Sequence, residues 1–145
     1  MAIRNFSRHD MPAVHTIYNA SKLDELRFEA SDFSLLPLHL DGKRSAALWE
    51  SDIIVYDNGG VVGYGARYQN EIRALFVSVE SRGKGIGKAL LTRLLSQVSQ
   101  PAVLRVAASN KPAITLYESL HFKITDTFMA DYNGVSVWVS SMAQE

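Results

Sequence analysis

Gly83, Gly85 and Gly87 stand at alternate positions among Arg82, Lys84 and Lys88. A β-rich run ending at Val79 leads into them, and a leucine-rich run from Leu90 follows. A strand that ends in glycines and passes into a helix presents helix amides that have no internal partner. Those amides carry roughly half a positive charge from the aligned peptide dipoles. Glycines let an anion approach the backbone and permit turn conformations closed to other residues. The chemistry this pattern predicts is phosphate binding, most simply of a diphosphate. A bare strand-to-helix turn shares the glycines but has no use for three cations.

Two nucleotide patterns fail on this loop. A Walker loop ending at Gly87-Lys88 needs glycine at 82 and Ser or Thr at 89, where Arg82 and Ala89 stand. A dinucleotide fingerprint from Gly83 places its third glycine on Lys88, and from Gly85 on Leu90.

The elements that must hold this loop follow from periodicity. "AIRNF" reads as a strand, and Asp10 then caps a helix with Pro12 in its first turn and Val14, Ile17 and Tyr18 facing inward. Residues 22–50 read as a second, broken helix and a loop, interrupted by Pro37 and Gly42. Asp57-Asn58-Gly59-Gly60 between two β-rich runs predicts a hairpin. Residues 71–79 read as a third strand, apolar at nearly every position from Ala74 to Val79, which points to cover on both faces. A helix over 87–98, a strand over 102–107 and a helix opening at Ser109 or Asn110 follow. Two last strands flank Asn133-Gly134. The parallel crossover over residues 71–107, with two hairpins, predicts an α/β (α+β) mixed central sheet with helices on both faces.

Composition narrows the partners. The chain has 145 residues, of which 47% are hydrophobic, so a single domain over 1–145 with a real core is expected. Fifteen basic residues balance fifteen acidic ones, which argues against a general nucleic-acid or acidic-membrane binder. No cysteine is present, which removes disulfides and thiolate chemistry, and the four histidines show no metal spacing. With no apolar leader and no run near the ~20 residues of a membrane helix, a cytoplasmic chain is expected.

"RGKGIG", Arg82 to Gly87, resembles the acyl-CoA loop of the GNAT superfamily of N-acetyltransferases, whose pattern is Arg or Gln, two residues, Gly, one residue, Gly or Ala. "NKPAITLYESLHF" is similar to the family's second signature at Asn110, Ala113, Leu116, Tyr117 and Phe122. His121 departs from it, standing where the family has glycine, so a strained or differently capped turn is expected there. The element order fits the same fold, so the resemblance spans essentially the whole chain.

The resemblance implies acetyl-CoA as cosubstrate, with no metal. It implies that the backbone of Gly83, Lys84, Gly85, Ile86, Gly87 and Lys88 cradles the CoA diphosphate. The edges of Leu75, Phe76 and Val77 pair with the pantetheine arm, in a gap where strand 71–79 splays from strand 102–107. Asn110 helps hold the arm, and Lys111 or Arg82 meets the 3′-phosphate. Tyr117 is the implied acid for the departing thiolate, although Ala113, Leu116, Tyr117 and Leu120 also form a core stripe. Glu71 is the candidate base, acting through water; a solvated acid at the start of a strand is the other reading.

The implied reaction is direct attack of a primary amine on the acetyl thioester, the acceptor being a small molecule or a protein amino group. The family sets its acceptor with residues that here are 22–48 and 126–136. These hold Asp24, Glu25, Glu29, Asp32, Asp126 and Asp131, which would attract a cationic amine, beside Phe28, Phe33, Phe128 and Tyr132. A non-catalytic acyl-CoA sensor of the same fold is the alternative, and a homodimer through the hairpins is compatible.

Overall fold

The computed structural model describes residues 2–144. Seven strands form one sheet: β1 (Ile3–Asn5), β2 (Asp52–Asp57), β3 (Val61–Tyr68), β4 (Glu71–Val77), β5 (Val103–Ala107), β6 (Phe122–Tyr132) and β7 (Val135–Gln144). Four helices accompany them: α1 (Met11–Ser21), α2 (Gly42–Trp49), α3 (Ile86–Leu95) and α4 (Lys111–Ser119). The sheet order is β1-β2-β3-β4-β5-β7-β6. Among the described residues only β4 and β5 pair in parallel, joined through α3; the other neighbours are antiparallel. This is the expected mixed sheet with its crossover. No helix among the described residues is long and apolar enough to cross a membrane.

Both faces of the sheet are covered, because the helices carry apolar stripes at the helical period. On one face Leu90, Leu91 and Leu94 of α3 and Ile114 of α4 pack on Ile72, Leu104, Val106 and Met142. On the other, Val14, Ile17 and Tyr18 of α1 and Leu48 of α2 pack on Val55, Tyr64 and Ala66.

The helix predicted to reach Val98 stops at Leu95. The Ser96 amide is shared between the Thr92 and Arg93 carbonyls, and its hydroxyl donates to Arg93 O at 2.6 Å, which closes the last turn. Val98 still packs against the core from outside the helix. The broken segment after α1 resolves into two single turns of 3-10 helix, Lys22–Leu26 and Leu38–Leu40, before α2. His121 follows α4 with φ of +72°, the left-handed conformation in which glycine costs least.

Gly65 sets how closely α3 lies on the sheet. A Cβ there would stand 2.7 Å from Leu94 Cδ1, in a fully buried contact. Overpacking of this kind costs about 1–3 kcal/mol. Gly65→Val is therefore expected to lower Tm by roughly 4–10 °C, followed by calorimetry; an unchanged Tm would mean α3 can lift off β3 freely.

Candidate active site

The β4–β5 ladder among the described residues contains two register pairs, Glu71 with Val103 and Ile72 with Leu104. Beyond them the strands part. A strand edge released from its neighbour leaves N–H and C=O groups free for an extended ligand arm. The gap is part of a cavity of about 350 Å³, lined by residues 73–76 of β4 and 104–107 of β5. It also reaches groups from both faces: Tyr117 of α4 on one, and Tyr18, Leu48 and Tyr64 on the other. The cleft therefore passes through the sheet, and reactants can meet in it from opposite sides.

The glycine loop lies at the open end of this gap. Val77 ends β4, Gly83 and Gly85 take φ of +77° and +82°, and Gly85 caps α3. The first α-helical bond runs from the Ala89 amide to Gly85 O at 3.0 Å. The amides of Ile86, Gly87 and Lys88 precede it and have no turn of helix beneath them to bond to. A Cβ on Gly83 or Gly85 would meet nothing within 4 Å, so open space stands over the bare backbone. Ile86 is buried and pins the loop, while Arg82, Lys84 and Lys88 are exposed beside it. Positive φ, free amides, open space and surrounding cations fit a diphosphate.

Tyr117 lines the cleft with its ring 5.9 Å from that of Phe122. It belongs to the core stripe and to the site at once. Enclosure, with a smaller contribution from nearby Glu25, pushes its phenol up to about 12. The hydroxyl thus keeps its proton at neutral pH and can donate it.

Leu75 and Phe76 line the cleft, and Val77 ends the same strand beside the loop. Asn110 is buried at the start of α4 and makes no side-chain bond to the helix amides, while Lys111 is exposed. Arg82 bonds Val77 O at 3.0 Å and pairs with Asp24 at 2.7 Å. Ser109, beyond β5, donates its hydroxyl to Glu29. Asp24 and Glu29 thus tether the segment after α1 to both lips of the gap.

Glu71 does not line the cavity. Its carboxylate sits at the closed end of the gap, where it accepts from Arg73 Nε at 3.0 Å, and Arg73 is the group that lines the cleft. Glu25 does line it, paired with Lys22.

Sequence reading found the segments of the far wall but missed Lys22, Arg44, Tyr18 and Tyr64 within it. The expected segments 22–48 and 126–136 do supply it, through Lys22, Glu25, Arg44, Phe128, Asp131 and Tyr132 among others. Their contribution is more cationic than their composition suggested: Asp24, Glu29, Asp32 and Asp126 lie outside the lining, and Arg73 and Arg105 join it from the strands. Tyr18 and Tyr64 carried no signal beyond an apolar stripe and a β-rich run.

Residues 49–124 match the model of the acetyltransferase (GNAT) domain. The chain is 30% identical over 118 residues to the peptidyl-lysine N-acetyltransferase YjaB of Salmonella typhimurium, covering 81% of this chain and 72% of that protein. An N-acetyltransferase from Rhodopseudomonas palustris shares the fold with a TM-score of 0.80 at 17% identity, over 99% of this chain and 94% of the other. The acetyltransferase yncA of Salmonella typhimurium, solved with its cofactor acetyl-CoA, shares it at 0.75 and 21% identity, over 99% and 92%. With a parted β4–β5 pair, a bare-amide loop at its mouth and these likenesses, the chain belongs to the GNAT superfamily as an acetyl-CoA-dependent acetyltransferase.

Proposed function

We propose that residues 1–145 act as one domain that transfers the acetyl group of acetyl-CoA to a primary amine by direct attack. The observation that carries this reading is the cleft through the parted strands, with the glycine loop at its mouth and Tyr117 in its wall. The loop amides of residues 83–88, with Lys84 and Lys88, hold the diphosphate. The β4 edge at Leu75, Phe76 and Val77 takes the pantetheine arm, and Asn110 steadies it. Lys111 remains the exposed cation for the 3′-phosphate; Arg82 serves there only by leaving Asp24.

Acetyl-CoA supplies a thioester activated for acyl transfer. The amine lone pair forms the C–N bond as the C–S bond breaks. One proton leaves the ammonium, and one is given to or shared with the departing sulfur. Tyr117, neutral and enclosed, serves the sulfur. Glu71 takes the ammonium proton through water; Glu25, which lines the cleft, is the competing acceptor. YjaB is named for acetylating peptidyl lysine, and that supports an amine acceptor here.

Thiol release from acetyl-CoA across a panel of amines tests the reading. Tight CoA binding with no release for any amine would favour the acyl-CoA sensor instead. The base is separable by pH. Without it the amine must shed its proton before binding, so Glu71→Gln is expected to lower kcat at neutral pH by about 10²-fold and to keep climbing with pH where the wild type has levelled. Profiles that superpose for Glu71→Gln and diverge for Glu25→Gln would move the role to Glu25.

A further inference from the structure

Among the described residues Lys22 is the one lysine that lines the cleft, and its surroundings are those of an acceptor amine. Tyr18, Lys22 and Glu25 follow one another at i, i+4 and i+7 along backbone that runs from the end of α1 into the 3-10 turn Lys22–Leu26. That spacing puts them on one face, and all three line the cavity. Leu26, buried against Tyr132 and Val137, pins the turn in place. Lys22 Nζ donates to a carboxylate oxygen of Glu25. It stands 5.5 Å from the centre of the Tyr132 ring and 6.0 Å from that of Tyr18. The Lys22 side chain is only 15% exposed, so the pair sits within the cleft and not on an open helix surface.

This amine is one ring away from the strand proposed to carry the pantetheine arm. Tyr18, which lies under Nζ, packs edge-on against Phe76 of β4 with ring centroids 5.7 Å apart. Glu25 is near enough to Tyr117 for its charge to help hold the proton on that phenol. One cavity therefore brings together a nucleophile, a proton acceptor in contact with it, and a proton donor for the departing sulfur. The flexible four-carbon stem of lysine lets Nζ swing from its carboxylate toward the parted strands. Lys43, Lys84, Lys88, Lys111 and Lys123 are exposed and lie outside the lining.

Resting on the acetyl-transfer reading, we propose that the protein acetylates itself: with no free amine present, one acetyl group passes from acetyl-CoA to Lys22 Nζ of the same chain. The Nζ lone pair forms the C–N bond to the acetyl carbon as the C–S bond breaks. Nitrogen sheds two protons in all. One leaves to solvent through Glu25, and the other balances the proton that sulfur takes from Tyr117, which is then restored. The products are an uncharged amide at Lys22 and free CoA thiol. The amide no longer pairs with Glu25.

The full chain is incubated with acetyl-CoA carrying a deuterated acetyl group, without added amine, and each lysine is followed by peptide mass spectrometry. Lys22 is expected to take up label about tenfold or more faster than the five exposed lysines, at a rate independent of protein concentration. Glu25→Gln should slow Lys22 by about tenfold or more, and Tyr117→Phe by about 10²-fold, with labelling of the exposed lysines unchanged in both. Lys22→Arg keeps a cation beside Glu25 and should abolish the fast phase. Label on Lys22 no faster than on the exposed lysines, or undiminished in Tyr117→Phe, is uncatalysed acetylation and overturns the proposal. A rate that rises with protein concentration overturns it too, because the transfer is then between molecules. An amine panel run alongside separates the two readings. Free amines turned over while Lys22 stays unlabelled overturns self-acetylation and leaves acetyl transfer to external amines standing. Fast label on Lys22 with no amine turned over upholds self-acetylation and sinks the external acceptor.

Discussion

Tyr117→Phe is expected to reduce kcat for thiol release by about 10²–10³-fold while the CoA dissociation constant changes less than twofold. The substitution removes one oxygen from a ring that keeps its contact with Phe122 and its place in the core stripe. Fold and cofactor affinity should therefore survive. What goes is the only group of α4 that lines the cleft and can donate a proton. With the phenol held at about 12 by its enclosure, the wild-type rate should show no loss of this acid anywhere below about pH 11. Thioesters whose thiols are more acidic should be less sensitive to the loss. An unchanged kcat would make Tyr117 a core aromatic and nothing more, as its spacing alone allows. A large fall in CoA affinity would assign it to binding instead.

Gly85→Ala should weaken CoA binding by about 10–100-fold, with KM for acetyl-CoA rising in step. Two effects combine. At φ of +82° a Cβ costs about 1–2 kcal/mol in the left-handed region. The same Cβ also projects into the open space above the Ile86, Gly87 and Lys88 amides, where the diphosphate would lie. Gly59→Ala separates the two. Gly59 has φ of +74° and equally open surroundings, but it lies in the β2–β3 turn. Both variants should lose similar Tm, and only Gly85→Ala should lose CoA. Equal losses of affinity would mean that the loop binds nothing through its backbone. Calorimetric titration with CoA reads both.

Local patterns accounted for a large part of this molecule. The stripe of Val14, Ile17 and Tyr18 in α1, the hairpins at Gly59-Gly60 and Asn133-Gly134, and the crossover through α3 all follow from residues close in the chain. His121 at φ +72° is the strained turn its departure from glycine implied. The segment between α1 and α2 resisted reading because it has no period: two short 3-10 turns joined by extended chain, held by Asp24 to Arg82 and Glu29 to Ser109, partners 58 and 80 residues away.

Spacing along the chain was enough to locate the glycine loop after β4 and the helix that carries Tyr117. In each, the functional groups and the backbone that presents them lie within one strand, turn or helix, so spacing along the chain is already geometry. Only the tertiary structure decided where β4 and β5 part, that Glu71 stands behind Arg73 while Glu25 faces the cleft, and that Tyr18, Tyr64, Tyr132 and Arg44 share one wall. Those four residues come from α1, β3, β6 and α2. Their convergence depends on how helices pack across a twisted sheet, a sum of many weak contacts that no local pattern encodes.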